Sequence, residues 1–210
     1  SSSSDYAYAL TTGSDGSIYI AGYTEGDLDG QTNSGSNSGL FDAFISKYNP
    51  NGTKEWTKLL GSSNGVVAEV NIPGGVNLVE INNDLATALT TGSDGSIYIA
   101  GYTSADLDGQ TNSGGNRDAF LSKFNPNGTK KWTRLFGTSK GDHGFALSTS
   151  TDGSIYMAGQ TFGDLDGQTH SGGGSDDAFI SKFNPDGTKK WTRLLGTSKS
   201  DVGFALTTGA

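Results

Sequence analysis

Residues 17–23, reading SIYIAGY, set Ile18 and Ile20 against Tyr19 and Ala21, an alternation of period two that predicts a β-strand. Further short apolar runs surround it: residues 8–12, rich in Ala and Thr, then residues 43–48 and residues 54–60. Turn chemistry separates them. Gly13, Ser14, Asp15 and Gly16 join the first run to the second, and Asn49, Pro50, Asn51 and Gly52 join the third to the fourth. The second of these turns has Pro at the fixed-φ corner and Gly at the positive-φ corner, a hairpin signal.

The same four runs then recur. The turn acids Asp15, Asp94 and Asp152 stand 79 and then 58 residues apart, the tryptophans Trp56, Trp132 and Trp191 hold one phase, and so do Pro50, Pro126 and Pro185. Four antiparallel strands per unit, repeated without helices, predict the blades of an all-β propeller. The small residues of the first strand suit the crowded axis. The Trp on the fourth strand suits the wide rim, where its area fills the wedge between blades. The longer first interval comes from an insertion: 22 residues separate Gly61 from Asp84 against 4 between Gly137 and Asp142. It reads NGVVAEVNIPGGVNLVEIN, two alternating runs around Pro73, Gly74 and Gly75, and predicts a β-hairpin. The expected organisation is blade 1 at residues 1–61, the hairpin at 62–83, blade 2 at 84–137, blade 3 at 138–196, and the first strand of a further blade at 197–210. Residues 1–5 occupy the phase of residues 197–201, so the natural protein is expected to continue upstream.

Composition narrows the function classes. The 33 Gly among 210 residues, with Ser, Thr, Asn and Asp between the apolar runs, fit many turns, and the 32% apolar residues are clustered enough to form a core. The absence of Cys removes disulfides, zinc thiolates and cysteine nucleophiles together. A net charge of −8 argues against nucleic acid and favours cations or neutral glycans as partners. No apolar run is long enough for a membrane span, so no membrane insertion is expected.

The loops between second and third strands carry the metal-like pattern. Asp27 and Asp29, Asp106 and Asp108, and Asp164 and Asp166 each bracket a Leu and precede a Gly, as calcium loops begin. Gln31, Thr32 and Asn33 then follow where further ligands would stand, so an Asx-turn reading competes with the calcium one. In an up-and-down meander these loops, the connections between blades and the hairpin share one face, while Lys54, Lys130, Lys131, Lys189 and Lys190 flank the turns of the other. Asp15, Asp94 and Asp152 are expected in turns. Asp42, Asp118 and Asp177 open the third strands, where they would bond backbone amides between blades or close a cation site with the loops. His143 and His170 replace Tyr6 and Asn33 of the first unit, so both are expected to be incidental loop residues. No nucleophile and base are placed together, so no enzyme is expected.

The strings TTGSDGSIYIAGYT and DAFISKYNPNGTKEWTKLLG, with their copies at Asp118 and Asp177, resemble the bacterial β-propeller repeats abbreviated SBBP. The resemblance covers all three units and implies a propeller in secreted or cell-surface bacterial proteins, commonly in longer arrays, without implying an activity. Three blades are fewer than a ring needs. Self-association, or packing on neighbouring blades of a longer chain, is therefore expected, with residues 203–209 completing a neighbour's sheet. The expected function is a non-enzymatic scaffold or interaction module, with a glycan or surface protein as further partner. The rival is a calcium-dependent lectin using Tyr23, Tyr102, Thr24 and Thr103, a pattern that Gln160 breaks in the third unit.

Overall fold

The four runs of each unit pair in chain order into one antiparallel sheet. The computed structural model describes residues 3–34, 40–62, 66–72, 75–81 and 83–209. Blade 1 is β1 (Asp5–Thr12), β2 (Ile18–Thr24), β3 (Asp42–Tyr48) and β4 (Lys54–Leu60). The insertion forms β5 (Val66–Ile72) and β6 (Gly75–Ile81), an antiparallel pair. Its expected turn residues Pro73 and Gly74 lie outside the described residues. Blade 2 is β7 (Asp84–Thr91), β8 (Ile97–Thr103), β9 (Asp118–Phe124) and β10 (Lys130–Phe136); blade 3 is β11 (Asp142–Thr149), β12 (Ile155–Thr161), β13 (Asp177–Phe183) and β14 (Lys189–Leu195). Among the described residues no helix is long and apolar enough to cross a membrane.

The first strands are innermost, because they meet one another from blade to blade. Thr91 donates its hydroxyl to Thr12 O (3.1 Å), Thr149 to Thr91 O (2.9 Å) and Thr208 to Thr149 O (2.9 Å), one threonine bond per junction. Residues 203–209 thus take the place of a fourth first strand, where Gly203 N donates to Gly159 O and Phe204 stacks on Phe145. They form no ladder of their own.

Apolar side chains fill the space between successive sheets, which is where a blade must bury its faces. Tyr19, Ile45 and Leu60 of blade 1 pack with Leu89, Ile99 and Phe120 of blade 2, and Tyr98, Leu121 and Phe136 with Met157 and Phe179 of blade 3. The tryptophans close the rim: Trp56 lies over Gly128 of the next blade's turn and donates Nε1–H to Pro126 O (3.2 Å), and Trp132 lies over Gly187.

One feature of every inner strand departs from simple alternation. The register slips between Ala7 and Ala9, between Ala86 and Ala88, and between Gly144 and Ala146, leaving Tyr8, Thr87 and Phe145 as extra, bulged residues. Opposite each bulge stands a glycine of the second strand, Gly22, Gly101 or Gly159, whose absent side chain admits the neighbouring strand's carbonyl.

Candidate functional site

The paired-aspartate loops are small hairpins in their own right. Leu28 N donates to Gln31 O and Gln31 N to Leu28 O, with Asp29 at φ 52° and Gly30 at φ 73°, the two positive-φ corners of a type I′ turn. Buried Leu107 and Leu165 anchor the second and third copies in the cores. The first aspartate of each pair accepts a backbone N–H six residues on: Asp27 from Asn33 (2.9 Å), Asp106 from Asn112 (2.8 Å) and Asp164 from His170 (2.8 Å).

The second aspartate of each pair meets a lysine. Asp29 receives Lys54 Nζ and the Thr57 hydroxyl, Asp166 receives Lys189 and Thr192, and Asp108 receives Lys130. The expected separation of lysines and paired aspartates onto opposite faces is therefore wrong. Each loop folds back along its outer strand until the two charges touch. The bond from Lys54, then that from Thr57, lowers the Asp29 pKa.

This donor set does not fit calcium. A hard cation needs six or more oxygens, and here an ammonium group stands where the cation would sit. The two carboxylates of a pair turn to different partners, and the described residues hold no cluster of three or more acidic or histidine side chains suited to a metal. Excess calcium or a chelator is expected to leave the melting temperature unchanged within about 1 °C, whereas a site held at 100-fold over its Kd would add about 2.7 kcal/mol. A calcium-dependent rise in melting temperature would restore Asp27, Asp29, Asp106, Asp108, Asp164 and Asp166 as ligands.

The buried acids sit elsewhere. Asp42, Asp118 and Asp177 bond within their own blade, accepting the backbone N–H of Ser34, Ser113 and Ser171 and so pinning the loop that precedes the third strand. A second series, Asp84, Asp142 and Asp201, opens the first strands and accepts N–H and hydroxyl from Ser62, Thr138 and Thr197 in the blade connections. The two series approach across two junctions, Asp42 toward Asp84 and Asp118 toward Asp142. A Cβ at Gly137 would press on Asp118 Oδ1 and lie 3.0 Å from Asp142 Oδ2. Oδ1 of Asp84, Asp118, Asp142 and Asp177 is buried with no hydrogen-bond partner among the described residues. Burial raises the pKa of Asp42, Asp118 and Asp142, and pushes that of Asp84 up to about 6.

A cleft of about 860 Å³ opens between blades 2 and 3. Tyr102, Arg117, Lys140, His143, Phe145 and Phe162 shape it. His143 is no loop residue: it is buried on β11, stacked on Phe145 and edge-on to Tyr102 at 4.6 Å. The Arg117 guanidinium lies 4.9 Å from the Tyr102 ring centroid and 3.1 Å from His143 Nε2. Arginine can only donate, so Nε2 accepts and the imidazole is neutral with its proton on Nδ1. The Gln160 amide nitrogen is placed 3.3 Å from Nδ1, and an Nδ1–H proton requires that amide to be turned so that its oxygen accepts. Burial, then the Arg117 charge, lowers the His143 pKa to about 4.

Unlike the loops, this cleft is not repeated. The place of Arg117 is held by Phe41 in the first unit and Asp176 in the third, and that of His143 by Tyr6, Leu85 and Val202. The sequence signal was available in that very irregularity: both positions change character beside an aspartate that every unit keeps.

Comparison with known proteins accords with the sheets. Residues 92–130 match the family described as a domain of unknown function (DUF5122) β-propeller. The chain is built of β-propeller repeats. The regulatory protein FlaEY of Caulobacter vibrioides is 26% identical over 196 residues, a match that covers 88% of this chain and 20% of that protein. The propeller chain thus spans about a fifth of that relative's length. A crystal structure of a protein of unknown function from Dyadobacter fermentans superposes with a TM-score of 0.45 at 12% identity, covering 89% of this chain and 49% of the other.

Proposed function

We propose that these propeller repeats form a non-enzymatic interaction module of a bacterial secreted or cell-surface protein, in the manner of the SBBP repeats they resemble. The observation that carries this reading is the contrast between a repeated architecture and one unrepeated cleft. Residues that build blades recur; Arg117, His143, Phe145 and Phe162 come together at one junction only. A relative named as a regulatory protein suits a module that acts by contact.

The outer faces favour packing on further blades, in the same chain or a second copy. Leu10 on β1 is 66% exposed and Leu195 on β14 is 78% exposed, although Leu60, which holds the place of Leu195 in blade 1, is buried between sheets. Of the rival lectin reading, the glycan half draws support from the aromatic cleft, and the calcium half draws none from the loop carboxylates.

Cosedimentation with isolated bacterial envelope tests the module. Binding is expected, and Arg117→Phe is expected to weaken it at least tenfold. Turnover of ester or glycoside substrates that disappears in the same variant would overturn the non-enzymatic reading.

A further inference from the structure

Within an acidic protein the cleft between blades 2 and 3 is a cationic exception. Arg117 and Lys140 reach it, no Asp or Glu lines it, and among the described residues neither cation forms an ion pair. Asp176, whose charge acts on His143, has one oxygen held by the Ser200 hydroxyl. Lys54, Lys130 and Lys189, by contrast, are each matched to a loop aspartate. The two cations of the cleft are thus left for a ligand.

Their setting defines what that ligand carries. Arg117 lies against the Tyr102 ring and is braced by His143, which holds the planar guanidinium in one orientation. Of its five N–H donors one bond is spent on His143 Nε2, and a fork held this way suits the two oxygens of a carboxylate. Because a guanidinium can only donate, His143 meets it as a neutral acceptor and adds no competing charge. Phe162 offers a ring that is 37% exposed, a platform for the C–H face of a sugar. Exposed Asn116 and Ser139 on the walls can hydrogen-bond to hydroxyl groups. A peptide finds less here: β11 pairs with β12 and lies against β7, so the cleft gives no free strand edge for augmentation.

From this juxtaposition we infer that the cleft binds an acidic polysaccharide through a uronic-acid residue, the carboxylate on Arg117 and Lys140 and the pyranose ring on Phe162. The inference rests on the interaction-module reading and gives it a ligand class. It requires no metal, since the charge that meets the carboxylate belongs to the protein.

The experiment is calorimetric titration with oligogalacturonate, neutral galactan and poly-glutamate, each with calcium and with chelator. Two variants borrow residues that other units carry at the same places, Arg117→Phe from Phe41 and Phe162→Ser from Ser104, so both suit the blade; their melting curves check folding. Oligogalacturonate is expected to bind, indifferent to chelation, with affinity falling at least tenfold in either variant and with rising salt, while galactan does not bind. Equal binding of galactan, equal or tighter binding of poly-glutamate, binding untouched by both variants, or no binding at all would overturn the uronate assignment. If the envelope binding described above still depends on Arg117 in that event, the module stands and only its ligand class falls; if it does not, both fall.

Discussion

Gly101→Ala is expected to cost about 3 kcal/mol of folding stability or more, although it adds only a single methyl group. Gly101 pairs with Ala86 on β7 at the step where Thr87 bulges. A Cβ there would occupy the space of the Leu85 carbonyl oxygen, with Ala86 Cα at 3.1 Å. A backbone carbonyl cannot rotate aside like a side-chain tip, so β7 itself must move. β7 is the worst strand to displace, because Ala86 and Leu89 belong to the core with blade 1 and Ala88 to the core with blade 3. Gly109→Ala is the control: its φ is +73° and nothing lies within 4 Å of the added Cβ, so only backbone preference is lost, about 1 kcal/mol. Urea denaturation of both variants decides the matter. A Gly101→Ala loss no greater than that of Gly109→Ala would show that the bulge, and not the glycine, yields.

That glycine shows how much of the fold was legible. Strand pairing and turn chemistry could be read directly, because Asn-Pro-Asn-Gly and Gly-Ser-Asp-Gly dictate backbone angles locally. The observed strands begin earlier than periodicity placed some of them, at Asp5 and Asp42, because those acids take part in pairing through their backbone while the Asp5 side chain accepts from Thr24 of β2 and that of Asp42 from Ser34 in the loop. The bulge was also in view: a Gly in the second strand of every unit marks a close backbone approach. The loop charges were misplaced for a physical reason. Connectivity fixes which end of a strand a loop leaves from, but not where a long loop lies. The lysines at 54, 130 and 189 and the threonines at 57, 133 and 192, in phase with the loop aspartates, were the missing clue. Asp84 and Asp142 read as phase landmarks, since sequence cannot tell an acid that is buried from one that is solvated. The cleft eluded a reading built on repetition because its defining residues are where repetition fails.

Asp84→Asn is expected to stabilise the domain at pH 7 by about 2 to 3 kcal/mol, although it removes a charge-assisted acceptor. Asp84 is fully buried, with Oδ2 taking Ser62 N (2.7 Å) and Ser62 Oγ (2.8 Å). By geometry Oδ1 has no donor among the described residues: the Thr103 hydroxyl lies close enough to hold the pKa down somewhat, but its hydrogen points to Ala105 O (3.0 Å). Asp42 across the junction adds a like charge. The neutral acid resolves both difficulties, because a proton on Oδ1 can be donated to the Thr103 oxygen. Asparagine mimics that form with its amide N–H while its oxygen still accepts from Ser62. The linkage follows from the shift. With a folded pKa of about 6 against an ordinary 3.8, the folded state holds the proton more tightly, so this group's contribution falls as pH rises from about 4 to about 6. His143 acts in the opposite sense: lowered from 6.5 to about 4, it is protonated first in the unfolded chain, so its contribution is full above 6.5 and lost as pH falls toward 4. The two oppose each other over one window, and the parent protein is expected to show little net slope there from this pair. Asp84→Asn should expose the rising slope of His143, and His143→Leu, the residue blade 2 carries in that place, should expose the falling slope of Asp84. Urea midpoints measured from pH 4 to pH 7 read both. If Asp84→Asn lowers stability at pH 7 and leaves the slope as in the parent, the junction acid is held as a carboxylate, and a donor to Oδ1 must then exist.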